Sequence, residues 1–272
     1  MTASPAPPAT PSPDAAESRP TRTFRVRMLR QDAPEQASYW HEFELAHRPN
    51  LNITSVLQEL AAHPVTTDGE QVRPPVWEAN CLEEVCGACT MVVNGHVRQG
   101  CSTLVDDLLA DVGDTITLQP MTKFPVIRDL AVDRSRIFDT LKRLKAWVPV
   151  DGTYPLGPGP RESPAQQHLR YALSRCMTCG CCLEACPQYT RHNDFIGAAA
   201  FGQALLFNLH ETGSKLKGHR LEVLSGPGGI TDCGNAQNCV KVCPKEVPLT
   251  EAIAYIGRQT TVHNVKKFFT GG

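Results

Sequence analysis

From Thr23 to Met28 the apolar residues Phe24, Val26 and Met28 alternate with Arg25 and Arg27, the period of two that marks a half-buried strand. Tyr39 to Leu45 can pair with it. Thr54 to Leu60 has helical spacing, with Asn52 or Thr54 as its cap. Thr90–Val93 and His96–Gln99 flank Asn94-Gly95, a strong hairpin signal, and Thr115 to Leu118 makes a further strand. After about Pro125 the period lengthens. Asp133 to Trp147 carries Ile137, Phe138, Leu141, Leu144 and Trp147 at helical spacing, which predicts a helix with Trp147 in its core stripe. Ser163-Pro164 is a cap followed by a first-turn proline, opening a helix that runs toward Cys176. Phe195 to Asn208 predicts a buried central helix, and Pro248 to about Phe268 a final one with Thr250 as candidate cap. Strands followed by helices make the fold class α+β.

The remaining stretches read differently. Met1 to about Arg22 is rich in Pro, Ala, Ser and Thr without periodicity, so it is expected to be a disordered tail; Asp14 and Glu17 argue against a transit peptide. No signal-peptide pattern opens the chain. Pro155 to Pro160 predicts a rigid loop. The expected units are therefore the tail 1–22, a strand-rich domain 23–125 and a helical domain 126–272, and 272 residues are enough for two real cores.

Charge and hydropathy narrow the partners. Net charge is −1 without a broad basic excess, which argues against nucleic acid. The longest mostly apolar run, Phe195 to Phe207, is too short to span a bilayer and is interrupted by Gln203.

The 12 cysteines carry the chemistry. Their grouping at two- to five-residue spacings suits metal ligation within loops and a reducing compartment, rather than a secreted disulfide scaffold. Cys81-x4-Cys86-x2-Cys89, closed by Cys101, is the plant-type ferredoxin spacing for a 2Fe–2S centre. With the strands around it, this predicts a β-grasp ferredoxin domain. Gly87 lies between ligands, where a backbone amide can approach the sulfurs without a Cβ in the way. A four-cysteine zinc site is the alternative, but such sites prefer two short knuckles.

Cys176-x2-Cys179-x2-Cys182-x3-Cys186-Pro187 is a bacterial-ferredoxin run, and Cys233-x5-Cys239-x3-Cys243-Pro244 is an incomplete second one. In two-cluster ferredoxins the fourth cysteine of each run serves the other cluster. Cys176, Cys179, Cys182 and Cys243 are thus expected to hold a 4Fe–4S cube. Cys186, Cys233 and Cys239 are left for the other cluster. Ala236 stands where that set's fourth thiol would be, so three thiolates predict 3Fe–4S. A 4Fe cluster with water or substrate at its open corner is the rival. Together the runs predict a helical, two-cluster, bacterial-ferredoxin-like domain. Cys181 fits no register and reads as a small buried thiol. His192 follows the first run and reads as a surface histidine. The glycine-rich stretches Gly157–Gly159 and Gly226–Gly229 do not sit between a strand and a helix, so no dinucleotide fingerprint is expected.

The chain resembles the iron–sulfur subunit of succinate dehydrogenase/fumarate reductase from about Thr23 to Phe269. The loop Asn80–Cys89, the stretch Val132-Asp133-Arg134-Ser135, and the runs Cys176–Pro187 and Asn238–Pro244 carry the resemblance. Glu83-Glu84, Gly234–Asn238 and Asp151–Tyr154 look most like menaquinone-linked bacterial forms. The resemblance implies electron transfer from a partner flavoprotein with covalent FAD, through 2Fe–2S, 4Fe–4S and 3Fe–4S, to a quinone at a membrane cytochrome b anchor. It also implies a peripheral place on the cytoplasmic face of a bacterial membrane, and no substrate-oxidising residues in this chain. Fumarate reduction is the alternative direction, and a zinc- or cluster-binding regulatory module the distant alternative. Ubiquinone-linked relatives carry tryptophans just after the first Cys-Pro and a histidine just after the first cysteine of the last run. Here Gln188-Tyr189-Thr190-Arg191 and Gly234 stand there, which leaves open delivery to haem with quinone farther into the anchor.

Overall fold

The computed structural model describes residues 22–149 and 161–270, with the side chain of residue 112 excepted. The tail through residue 21, the 155–160 loop and the 151–154 stretch lie outside the described residues.

β1 (Thr23–Arg30) and β2 (Tyr39–Ala46) form an antiparallel pair, followed by α1 (Ile53–Ala62). Of the two candidate caps Asn52 is the one used: its Oδ1 accepts from Ser55 N at 2.8 Å. β3 (Thr90–Val93) and β4 (His96–Gln99) pair with Val93 opposite His96. The two-residue loop has φ of 49° at Asn94 and 77° at Gly95, the backbone that twists a tight hairpin correctly. α2 (Val105–Val112) and β5 (Thr115–Gln119) complete the sheet. Its order is β2-β1-β5-β3-β4, with β1 and β5 parallel. The inward side chains of β1, namely Phe24, Val26 and Met28, pack with Phe43, Ile53, Val56, Leu57, Leu108 and Ile116 in one core. Arg30 falls on that inner face and is 1% exposed; Asp129 answers it with a 2.7 Å ion pair and also accepts from Val76 N. A buried guanidinium without that carboxylate would be strongly destabilising.

The chain leaves this core near Met121, which packs in the second. β6 (Val126–Arg128) and β7 (Ala131–Val132) form a small hairpin. Then come α3 (Ser135–Arg143), α4 (Pro164–Ser174) and the single turn α5 (Cys181–Glu184). α6 (Ala198–Leu209), α7 (Lys217–Ser225), the short α8 (Asn238–Lys241) and α9 (Leu249–Thr270) follow. Ser163 caps α4 from its side chain, as its position before Pro164 predicts. α6 is the central helix: Phe201, Ala204 and Leu205 are fully enclosed, packed with Leu173, Leu224, Ala252 and Ile256.

Two expectations need correction. α3 stops at Arg143 rather than reaching Trp147, and Phe138 and Trp147 are 49% and 44% exposed instead of sharing the core stripe. Lys145 turns to φ 48°, and the carbonyls of Lys145 and Trp147 accept from the buried Arg220 guanidinium at 3.0 and 3.1 Å. A charge without water must be saturated with acceptors, and that requirement overrides the helical pattern. Thr250 does not cap α9; the helix has already begun at Leu249.

Candidate iron–sulfur sites

The first thiol set surrounds a loop between the sheet and the helical core. Leu82, Glu84 and Gly87 all have positive φ, so the backbone coils and turns its amides toward sulfur. Glu83 N and Val85 N donate to Cys81 Sγ, and Ala88 N to Cys86 Sγ, each at 3.4 Å. Cys101 N, arriving just after the β3–β4 hairpin, donates to Cys89 Sγ at the same distance. The Cys86 thiol also donates to Cys81 Sγ. Backbone amides lower the half-buried Cys81 thiol to about 7, while burial raises Cys89 to about 11.

The second and third sets line two cavities of similar size, with empty volumes of 360 and 390 Å³. Size therefore does not distinguish them, but lining does. Cys176, Cys179, Cys182 and the distant Cys243 face one cavity, as does Cys181. Cys186, Cys233, Cys239 and Ala236 face the other. The last cysteine of each run thus faces the cavity lined by the other run. α5 and the turn that follows it supply the crossing: Cys182 and Cys186 are four residues apart and line different cavities. Ala199 of α6 faces the first of these cavities and Ala198 the second. The lining of both contains thiols but no histidine or carboxylate, a donor set that suits iron–sulfur clusters.

Burial pushes Cys182 well above its ordinary range, with Cys179, Cys176 and Cys243 adding repulsion to a second negative charge. Burial likewise raises Cys176 and Cys239. Cys179 moves the other way, to about 7, because the neighbouring Cys181 thiol donates to it. Cys181 is 1% exposed, the buried thiol its lack of register predicts. His192 is exposed.

Gly87 joins the first set to the second. Its φ is +73°, and a Cβ there would lie 2.7 Å from both Cα and Cβ of Cys179. The glycine is required for contact between the two cluster loops as well as for approach to sulfur. Arg134 clamps the same joint: Nη1 donates to Gly87 O at 2.7 Å and Nη2 to Glu78 at 2.5 Å. The second set therefore touches the first through Gly87 and the third through α5.

Three supporting side chains were not legible as such. Gln203 was visible only as the polar break in the apolar run of α6; it is buried there and hydrogen-bonds Cys176. Gln99 carries no signal of its own, and Arg134 shows only as part of the Val132–Ser135 stretch, since each acts across a gap in sequence.

Comparison with known proteins agrees with this geometry. Residues 23–139 match a family described as a 2Fe-2S iron-sulfur cluster binding domain, and residues 172–247 one described as a 4Fe-4S dicluster domain. The chain is 51% identical to the succinate dehydrogenase iron-sulfur subunit of Bacillus subtilis (strain 168), over 91% of this chain and 96% of that one. It is 28% identical to the fumarate reductase iron-sulfur subunit of Wolinella succinogenes, over 88% of this chain and 97% of that one. Among solved structures it shares the fold of a chain of the Mycobacterium smegmatis Sdh1 complex, with a TM-score of 0.73 at 21% identity, covering 88% of this chain and 96% of that one. The chain belongs to the iron–sulfur subunit family of succinate dehydrogenase and fumarate reductase, the electron-transfer subunits that carry 2Fe–2S, 4Fe–4S and 3Fe–4S clusters.

Proposed function

We propose that this chain relays electrons from a succinate-oxidising, FAD-containing flavoprotein to a membrane cytochrome b anchor and its quinone, menaquinone in particular. Cys81, Cys86, Cys89 and Cys101 would hold 2Fe–2S, and Cys176, Cys179, Cys182 and Cys243 would hold 4Fe–4S. Cys186, Cys233 and Cys239 would hold 3Fe–4S. The single observation behind this reading is that the second thiol set touches both of the others. When bound, each cluster takes up and gives up one electron.

The chain's own residues provide surroundings for charge at sulfur. The amides of Glu83, Val85 and Ala88 aim at Cys81 and Cys86 from the backbone, independent of side-chain motion. Around Cys182 the apolar packing of Leu183, Ala199 and Leu249 excludes water. Val247 N donates to Cys243 Sγ at 3.4 Å.

Entry and exit follow from exposure. Leu82 and Val85, 50% and 56% exposed, flank the first thiols and suit a flavoprotein face. At the far end Gly234 to Gln237 are all exposed beside the cavity of the third thiol set, where the anchor would dock. A Cβ at Gly234 would lie 2.6 Å from Gln188 Nε2, so the two departures from the ubiquinone-linked pattern are neighbours. This rim has neither histidine nor tryptophan, which favours delivery to haem with quinone farther into the anchor. Docking would keep the subunit peripheral to the membrane, on its cytoplasmic face. The higher identity to a succinate dehydrogenase relative favours succinate oxidation over fumarate reduction. The two cores support a two-domain division whose changeover spreads over residues 121–130, with Met121 and Phe124 in the second core and Leu130 in the first.

Low-temperature EPR of the purified complex tests this reading. The oxidised protein should give a 3Fe–4S signal, and dithionite reduction should reveal 2Fe–2S and 4Fe–4S signals. Ala236→Cys should convert the 3Fe signal to a 4Fe one and slow quinone reduction; an unchanged cluster type would overturn the crossed assignment.

A further inference from the structure

Gln99 ends β4 between the first and second thiol sets and is 1% exposed. Its Nε2 donates to Thr90 Oγ1 at 2.8 Å and to Cys181 Sγ at 3.3 Å. Its Oε1 lies 3.7 Å from Cys89 Sγ, which donates to it as a thiol. Cys181 in turn hydrogen-bonds Cys179. One buried amide thus spans a path from Cys89 of the first set to Cys179 of the second.

Metal ligation removes the thiol proton of Cys89, because thiolate is the ligand. Oε1 would then face a sulfur that can only accept, an unfavourable pair in a dry site. Rotating the amide by half a turn exchanges its oxygen and nitrogen positions and removes the conflict. Nε2 then faces Cys89 Sγ as a donor, and Oε1 can accept from the Thr90 hydroxyl and from the Cys181 thiol, whose single proton turns to it from Cys179. The Thr90 hydroxyl is free to turn. It now donates to Gly87 O at 2.8 Å, and that carbonyl keeps Arg134 Nη1 as a second donor.

We propose that Gln99 is a positioning residue for the first cluster: with iron bound it donates Nε2–H to the Cys89 sulfur and anchors Oε1 on Thr90 and Cys181, raising the reduction potential of that centre. An N–H bond to a ligand sulfur favours the more negative, reduced state, one of the means by which a protein sets cluster potential. The inference rests on the assignment of Cys89 to the first cluster. A wild-type complex without a 2Fe–2S EPR signal would remove that assignment, separately from the test of Gln99.

The test is an EPR-monitored redox titration of the assembled complex carrying Gln99→Leu, Gln99→Glu or Cys181→Ala. Gln99→Leu removes the donor, and Gln99→Glu keeps the shape but replaces N–H with oxygen. Both should shift the 2Fe–2S midpoint downward with the 3Fe–4S midpoint unmoved. Cys181→Ala should shift it less, since Thr90 still anchors the amide, and Cys181→Ser should restore the wild-type value. Unshifted 2Fe–2S potentials in cluster-replete Gln99 variants would overturn the proposal. So would loss of the 2Fe–2S signal from both, which would make Gln99 a structural support only.

Discussion

Cys81 opens the first cysteine run and Cys182 is the third cysteine of the second, and their surroundings are opposed. Cys81 sits in a loop with exposed neighbours, where local amides lower its thiol to about 7. Cys182 is enclosed by α5 and α6, where burial drives its thiol well above the ordinary range. The first loop is prepared for negative sulfur by its own backbone, within a few residues of sequence. In the deep cavities burial raises Cys176, Cys182 and Cys239, and only Cys179 is lowered, by the Cys181 thiol, so most of these thiols give up their protons in exchange for bound iron and metal binding is coupled to folding. The contrast is one of local preorganisation against tertiary enclosure.

The joint between the regions is where the contrast breaks most easily. Gly87→Ala places a methyl group on Cys179 and forces a non-glycine residue to φ +73°. Overpacking and backbone strain together cost about 3 kcal/mol. The complex should lose 2Fe–2S and 4Fe–4S signals together and melt at lower temperature, as EPR and thermal unfolding would read. Retention of both clusters at full content would show that the loops are not in firm contact.

Single-ligand changes sharpen the comparison. Cys182→Ser should abolish the 4Fe–4S signal, because an alkoxide buried without solvent is costlier than a thiolate. Cys81→Ser should retain a 2Fe–2S signal with altered g-values, since solvent and the amides of Glu83 and Val85 can support an oxygen ligand. Equal losses in both variants would remove the distinction between the two sites.

The smallest effect lies far from the clusters, where α9 meets α7. Lys267 donates to Glu222 at 2.9 Å and, with His263, lowers its carboxyl pKa from 4.5. A lowered folded-state pKa means this contribution is present above the unfolded value and lost as pH falls through the folded one. Glu222→Gln should therefore lower the melting temperature slightly at neutral pH. The difference from wild type should fade as pH falls below 4.5 and through the lowered folded-state pKa. A difference that persists in acid would assign it to packing instead.

Much of the molecule was legible because its signals are local. Asn94-Gly95 specifies the hairpin through two positive φ angles, and Ser163-Pro164 specifies the start of α4 through a cap. α2 escaped because a two-turn helix gives too short a period, although Leu108 and Leu109 are buried in it. α3 was overextended because the acceptor demand of Arg220 acts from residues far ahead in the chain. Gln203 showed as an interruption of an apolar run, but its partner Cys176 could not be read from that interruption.

By itself the sequence determined the grouping of the cysteines into runs, the alanine at position 236 and a strand-rich part followed by a helical one. Ligand spacing and backbone period are properties of adjacent residues, so they survive without a fold. Tertiary structure alone decided that Gly87 is pressed onto Cys179 and that Gln99 lies between Cys89 and Cys181. It also decided that burial, rather than thiol chemistry, separates Cys182 from Cys81. These are contacts between segments far apart in the chain, and only packing of the β-sheet domain against the helical core brings them together.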